Sequence, residues 1–290
     1  MDALTATAAA GIRSRVEALD LLANNLANAN STGYKADREL YRRYAAGDAY
    51  ESSTASFDPT QQPDIDSRWT DFSQGAFTTT GQSLDVALQG TGFFVVSDAR
   101  PRIALPGKPG STPPASPAPE VFYTRDGHFR LVPIESRETV AGQPLGQPLD
   151  PLRRSRLETQ DGLAVAGNDG KPIFLDPRLP VEFGRDGTVR QEGLVVNRLF
   201  VAEPGTAQQL QKRSGNYFSF DLPAPVTGPL ALRAMGTEVQ QGKLEAANVT
   251  PAESAVRLIN VMRQFESLQK ALQIGGEMNR RSVEEVAKFT

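Results

Sequence analysis

Ala23-Asn24-Asn25-Leu26-Ala27-Asn28-Ala29-Asn30-Ser31-Thr32-Gly33-Tyr34-Lys35 is where the chain changes texture. Upstream of it, Leu4, Ala8, Ile12, Val16, Leu19, Leu22 and Leu26 recur three or four apart and draw one stripe down an α-helix. Alanines at positions 3, 6, 8, 9, 10 and 18 raise its intrinsic propensity. Asn28 to Gly33 then supply residues that tolerate αL and favour turns, so the helix is expected to end near Asn28.

Downstream, from Phe72 to about Met235, short β-branched and aromatic runs alternate with glycine. Leu84–Leu88, Phe93–Val96, Leu163–Ala166, Leu194–Val201 and Tyr217–Phe220 read as strands of a β body. Two Arg-Asp-Gly turns, Arg125-Asp126-Gly127 and Arg185-Asp186-Gly187, are expected to close hairpins, because Asp-Gly supplies the positive φ that such turns require. Asp161-Gly162 and Asp169-Gly170 read the same way.

The far end restores the helical pattern. Thr250-Pro251-Ala252-Glu253 places an N-cap hydroxyl, a proline at the first helical position and a glutamate at the third. Ala255, Leu258, Met262, Phe265, Leu268 and Leu272 then continue the stripe, with a break or kink expected at Gly275-Gly276. The fold class is therefore mixed and mainly β: a β-rich central domain with long N- and C-terminal α-helices that pair as a coiled coil. The divisions are 1–40 for the first helix, 41–70 for a linker, 71–240 for the body and 241–290 for the second helix. Pro-rich insertions near 101–120 and 133–156 interrupt the body.

Composition excludes several functions. In 290 residues, 31 Lys+Arg face 34 Asp+Glu, a net charge of −3 that offers no field for nucleic acid. Zero cysteines remove disulfides, thiolate nucleophiles and Cys-type zinc sites. The first thirty residues hold Asp2, Arg13, Arg15, Glu17 and Asp20, which leaves no apolar run for a signal peptide, and no transmembrane segment is expected.

No catalytic constellation forms on paper. The single histidine, His128, follows a turn and reads as a surface residue. Gly90-Thr91-Gly92 has Val95 where a dinucleotide fingerprint needs its third glycine, and the glycines near Lys171 and Lys243 lack phosphate-loop spacing. Asp64 and Asp66 lack the glycine and distal glutamate of a calcium loop. The sequons at Asn30 and Asn248 fall at helix boundaries, where Asn and Thr have structural roles. No catalytic residue, metal ligand or cofactor is assigned.

Helices of about 25 and about 35 residues span roughly 38 and 50 Å at about 1.5 Å per residue. Their apolar stripes need a partner, because packing supplies most helical stability. Paired as an antiparallel coiled coil flanking a β body, they suit a subunit that stacks into an open helical tube. The alternative is a β-domain binding module for cell wall or carbohydrate, capped by an intramolecular helical hairpin. Its mark would be a solvent-facing cluster of Trp69, Phe72, Tyr123 and Tyr217.

The Ala23–Lys35 stretch resembles the N-terminal signature of the flagellar basal-body rod and hook family. Leu84–Val96, Tyr123-Thr124-Arg125-Asp126-Gly127-His128-Phe129 and Gln241–Val249 resemble its later signatures, in the same order. The resemblance implies a non-catalytic rod subunit without a cofactor, located in the periplasmic part of the flagellar basal body. It further implies delivery unfolded by the flagellar type III export apparatus. Its partners would be copies of itself and other axial proteins of the rod and hook. The expected assembly interface comprises Ile12, Leu19, Leu22, Asn24, Asn25, Leu26 and Asn28 on the first helix. On the second it comprises Leu258, Met262, Phe265, Leu268 and Leu272. The asparagines are expected to bond between packed helices or to cap backbone. The Met1-Asp2 start and the spacer from Tyr44 to Asp71 look more like proximal than distal rod members.

Overall fold

The computed structural model describes residues 3–44, 62–98, 120–133, 155–204, 210–213, 215–220, 231–233 and 236–286. It is mainly β-sheet with one helix near each end. Two compact units separate: one draws on residues 1–29, 35–71 and 249–290, the other on 30–34 and 72–248.

In the first unit, α1 spans Ala3–Ala27 and α2 spans Pro251–Val286. The stop near Asn28 and the start at Pro251 fall where their signals lie. Asn28 Nδ2 returns to Asn24 O at 2.9 Å and so occupies a carbonyl in the last turn of α1. Ser254 N reaches Thr250 O at 3.0 Å, closing the first turn of α2. The expected break at Gly275-Gly276 does not occur, since α2 runs through both glycines. Glycine costs about 1 kcal/mol relative to alanine in a helix, which lowers stability without ending the helix. The helices pack together, and a Cβ on Gly11 would sit 3.5 Å from Leu268 Cδ1.

Within the span expected as a linker, 41–70, the described residues 41–44 and 62–70 are strand. Asp37–Tyr44 pairs antiparallel with Gln62–Thr70, from Asp37↔Thr70 to Tyr44↔Gln62, with a register shift at Leu40/Tyr41. The ribbon escaped detection because its residues are mostly polar and carry no apolar alternation. Its backbone register sets Glu39 opposite Arg68 and Arg42 opposite Asp64. Residues 45–61 and most of the Pro-rich spans near 101–120 and 133–156 lie outside the described residues.

The second unit is the β body. Its largest sheet runs in the order Phe174–Leu175, Ser155–Thr159, Ala164–Val165, Phe93–Ser97, Val121–Thr124, Tyr217–Phe220 and Leu210–Lys212. Val201–Pro204 also pairs with Phe93–Ser97, and Phe129–Pro133 with Ser155–Thr159. Val181–Phe183, Thr188–Gln191 and Leu194–Arg198 form a separate three-stranded sheet. Phe94, Val96, Leu157, Val165, Ile173 and Val189 anchor the main core, while Phe93, Tyr123 and Phe218 anchor a second cluster.

Arg185-Asp186-Gly187 does close a hairpin, with Gly187 at φ 83° and Gly184 N bonded to Thr188 O at 2.8 Å. Arg125-Asp126-Gly127 does not. The strand before it pairs with Phe93–Ser97 and Tyr217–Phe220, and the strand after it pairs with Ser155–Thr159. Gly127 is there for contact: a Cβ would stand 1.6 Å from Val86 O, a space that no side chain can enter.

Candidate functional site

On α1 the buried positions are Ser14, Ala18, Leu21, Leu22 and Asn25, which follow helical spacing on one face. The expected stripe lies beside that face. Leu22 and Asn25 are buried, Ile12, Leu19, Leu26 and Asn28 are half-buried, and Asn24 is exposed. Val16, on the same line, is 41% exposed, so the stripe is only partly covered.

α2 is barer still. Leu258, Phe265, Leu268 and Leu272 are half-buried and Met262 is exposed, and none of the described α2 side chains is fully buried. Val256, Ile259, Ile274 and Met278 add further exposed apolar surface. A 36-residue helix with apolar groups on several faces and no buried residue among those described lacks the cover that ordinarily stabilises it.

Asn25 and Asn28 bond backbone. Asn25 Nδ2 donates to Asp37 O at 2.8 Å and its Oδ1 accepts from Asp37 N at 3.0 Å, so one amide satisfies both backbone groups. Asp37 Oδ1 then accepts from Thr70 Oγ1 at 2.8 Å. Arg38 meets Asp71 at 2.8 Å, and Asp71 N reaches Ala36 O at 2.8 Å. These bonds hold the ends of the two-stranded ribbon together.

The second feature, which spacing alone did not reveal, is a junction inside the β body where distant motifs converge. Arg125, 2% exposed at its side chain, donates from Nη1 to Glu245 Oε2 and to Leu88 O, both at 3.3 Å, and from Nη2 to Gly90 O at 2.6 Å. Its guanidinium also lies 4.9 Å from the Phe93 ring centroid. Glu245 Oε1 accepts from Gly75 N at 2.9 Å. Burial lowers the Arg125 pKa, and the Glu245 carboxylate opposes that shift by charge and hydrogen bond. The guanidinium thus grips two carbonyls of the Leu84–Val96 motif and a carboxylate of the Gln241–Val249 motif.

Residues 30–34 complete the junction. Thr32 Oγ1 donates to Asp126 Oδ1 at 2.8 Å, and Gly33 N donates to Glu245 O at 2.7 Å. Asn248 N reaches Tyr34 O at 3.3 Å, and Lys212 Nζ stands 3.9 Å from the Tyr34 ring centroid. Burial raises the Asp126 pKa, opposed by bonds from Thr32 and from the His128 amide. The sequence signal was available: these residues sit inside the quoted motifs, but nothing in a motif states which other motif it touches.

The aromatic cluster of a wall-binding module does not form. Tyr123 and Tyr217 are buried and Phe72 packs edge-on to Phe93 and Phe218; of the four candidates only Trp69 is exposed, with Arg38 5.9 Å from its ring. His128 is half-exposed at its side chain and 3.8 Å from Asp85. Among the described residues no group of three or more His, Cys, Asp or Glu is placed to hold a metal ion. No described helix is long and apolar enough to cross a membrane.

Residues 3–35 match the family model for flagella basal body rod protein, and residues 240–284 match that for the flagellar basal body rod FlgEFG protein C-terminal region. The chain is 31% identical over 93% of its length to the flagellar basal-body rod protein FlgF of Caulobacter vibrioides, covering 92% of that protein. It is 30% identical to FlgF of Mesorhizobium japonicum, over 86% of this chain and 83% of that one. With FlgG of Borreliella burgdorferi the identity is 26% over 94% of both.

The chain belongs to the flagellar basal-body rod family. Within that family it is most like the FlgF proteins. It is a structural subunit of the flagellar basal body and not an enzyme. Membership implies assembly with other rod and hook components.

Proposed function

We propose that the chain builds the rod by burying the open apolar faces of α1 and α2 against neighbouring subunits, with the two helices paired as an antiparallel coiled coil. The observation that carries this reading is the exposure of Val256, Ile259, Met262, Ile274 and Met278, between 46% and 65%, on a helix with no fully buried described residue. Burying one such side chain from full exposure contributes about 1.5–3 kcal/mol, so covering several of these part-exposed ones per subunit favours assembly. A repeated heterologous contact that does not close yields an open tube.

Ile12, Leu19, Leu22, Leu26, Leu258, Met262, Phe265, Leu268 and Leu272 form the assembly interface in this reading. Asn24, Asn25 and Asn28 set its lower border, where helix gives way to ribbon. Copies of the chain and other axial proteins are the partners. The flagellar export apparatus delivers it unfolded, a route compatible with a chain that has no cysteine to cross-link. The greater likeness to FlgF than to FlgG supports a proximal place in the rod.

Basal bodies purified from cells carrying Phe265→Asp provide the test. The variant protein is expected to be made and exported but absent from the basal body, because a carboxylate cannot be buried in the seam. Its recovery in normal amount, with normal motility, would overturn the reading. Cross-linking the wild-type rod and identifying its axial neighbours tests proximal placement directly.

A further inference from the structure

Asn30–Tyr34 belong to the β body, whereas 1–29 before them and 35–71 after them group with the helices. These five residues are held as a bound peptide would be. Asp126 accepts the Thr32 hydroxyl at 2.8 Å, and Asn216 Nδ2 donates to Thr32 O at 2.5 Å. Glu245 O accepts Gly33 N at 2.7 Å, Asn248 N donates to Tyr34 O at 3.3 Å, and Lys212 stands over the Tyr34 ring at 3.9 Å. Tyr34 is left 1% exposed.

The receiving surface also has supports from within the body itself. Neither apolar cluster of the body includes a residue from 30–34. Arg125 and Glu245, which underlie the groove, are fixed by Leu88 O, Gly90 O and Gly75 N. The groove is also closed to side chains at one point. A Cβ on Gly33 would lie 2.4 Å from Asp126 N and 2.5 Å from the Arg125 carbonyl carbon, and Gly33 has φ +67°. Backbone so anchored cannot retreat to admit a methyl group.

We propose that Asn30–Tyr34 is a strap that closes on a preformed peptide groove of the β body and opens without unfolding that body. The groove recognises a Thr-Gly-aromatic segment: a carboxylate takes the hydroxyl, main-chain bonds take the peptide units, the Gly33 position excludes any Cβ, and an ammonium covers the ring. Closure ties the N-terminal segment to the folded body, so it decides when that segment ceases to be free. Strap closure is separate from tube building and does not depend on how the helices assemble.

Native-state amide exchange on the full-length chain tests it, comparing wild type, the double variant Thr32→Val/Asn216→Ala, and Gly33→Val. In wild type the Gly33 and Tyr34 amides are expected to exchange by local opening, faster than those of Phe93–Ser97. The double variant should speed strap exchange roughly tenfold or more while Phe93–Ser97 keeps its protection. Gly33→Val should leave the strap unprotected and the body folded. Strap and body rates rising together in the double variant would overturn the proposal, as would no change in either. Loss of body protection in Gly33→Val would also overturn it, because a groove that precedes its strap does not need it.

Discussion

Arg125 and Glu245, 120 positions apart, meet as a buried ion pair, with Nη1 3.3 Å from Oε2 and side-chain exposures of 2% and 0%. The pair joins the motif around Arg125 to the one that leads into α2. Removing one partner leaves the other charge buried, which typically costs about 3–5 kcal/mol. Glu245→Ala should destabilise the body by that order in a urea melt. In a cycle with Arg125→Met, the double variant should cost less than the sum of the singles, with a coupling of about 0.5–3 kcal/mol.

Gly127→Ala should be among the most damaging small substitutions in the body. Its methyl would fall 1.6 Å from Val86 O, a backbone atom whose own amide bonds Gly127 O at 3.0 Å. The loss should be about 3 kcal/mol or more, read from thermal unfolding. Gly170→Ala is the control. Its φ of +72° is strained for alanine but no atom lies within 4 Å, so about 1–2 kcal/mol is expected.

Tyr217 makes the body sensitive to alkali. Its hydroxyl lies 2.9 Å from Thr159 Oγ1 and donates to Asp161 Oδ2 at 2.7 Å. Burial, reinforced by the Asp161 carboxylate, raises its pKa well above the ordinary phenol value. A raised folded pKa means that the stabilisation is fully present below the unfolded value of about 10 and is lost as pH rises through the folded one. Tyr217→Phe should cost about 1 kcal/mol at neutral pH and flatten the decline above about pH 10.

Val16→Asp and Ala18→Asp should part company. Val16 is 41% exposed, so its substitution should leave monomer helicity near wild type while removing the protein from purified basal bodies. Ala18 is 0% exposed, and an aspartate there should also reduce helicity measured by circular dichroism. Equal behaviour of the two would contradict the assignment of faces on α1.

Ser14 offers a stabilising change. Its side chain is 2% exposed, and its hydroxyl has no hydrogen-bond partner among the described residues. Ser14→Ala removes that desolvated group and improves helix propensity. A gain of about 0.5–2 kcal/mol in thermal unfolding is the expected result.

The local signals read well where neighbouring residues decide the outcome. Asn28 and Pro251 mark helix ends because a cap or a missing amide acts within one turn. Gly187 marks a hairpin because positive φ is a property of one residue. The same reasoning failed at Gly127, whose role is contact with Val86 across the body, and at Gly275-Gly276, where a local propensity cost did not stop a long helix. The ribbon of Asp37–Tyr44 and Gln62–Thr70 was hidden because its mostly polar residues show no apolar alternation, and its register exists only once the two segments pair.

By itself the sequence determined a mainly β chain with a helix at each end, because hydrophobic period, caps and turn residues act over a few positions. It also determined the family, because its motifs are strings of adjacent residues. Only the tertiary structure decided which face of α1 is buried, since Ile12, Val16 and Leu19 are as apolar as Ala18 and Leu21 and burial depends on what lies opposite. It alone decided that Thr32, Arg125 and Glu245 share one junction. Contacts across 94 and 120 positions leave no trace in local period, because they form only when the folded body brings distant backbone together.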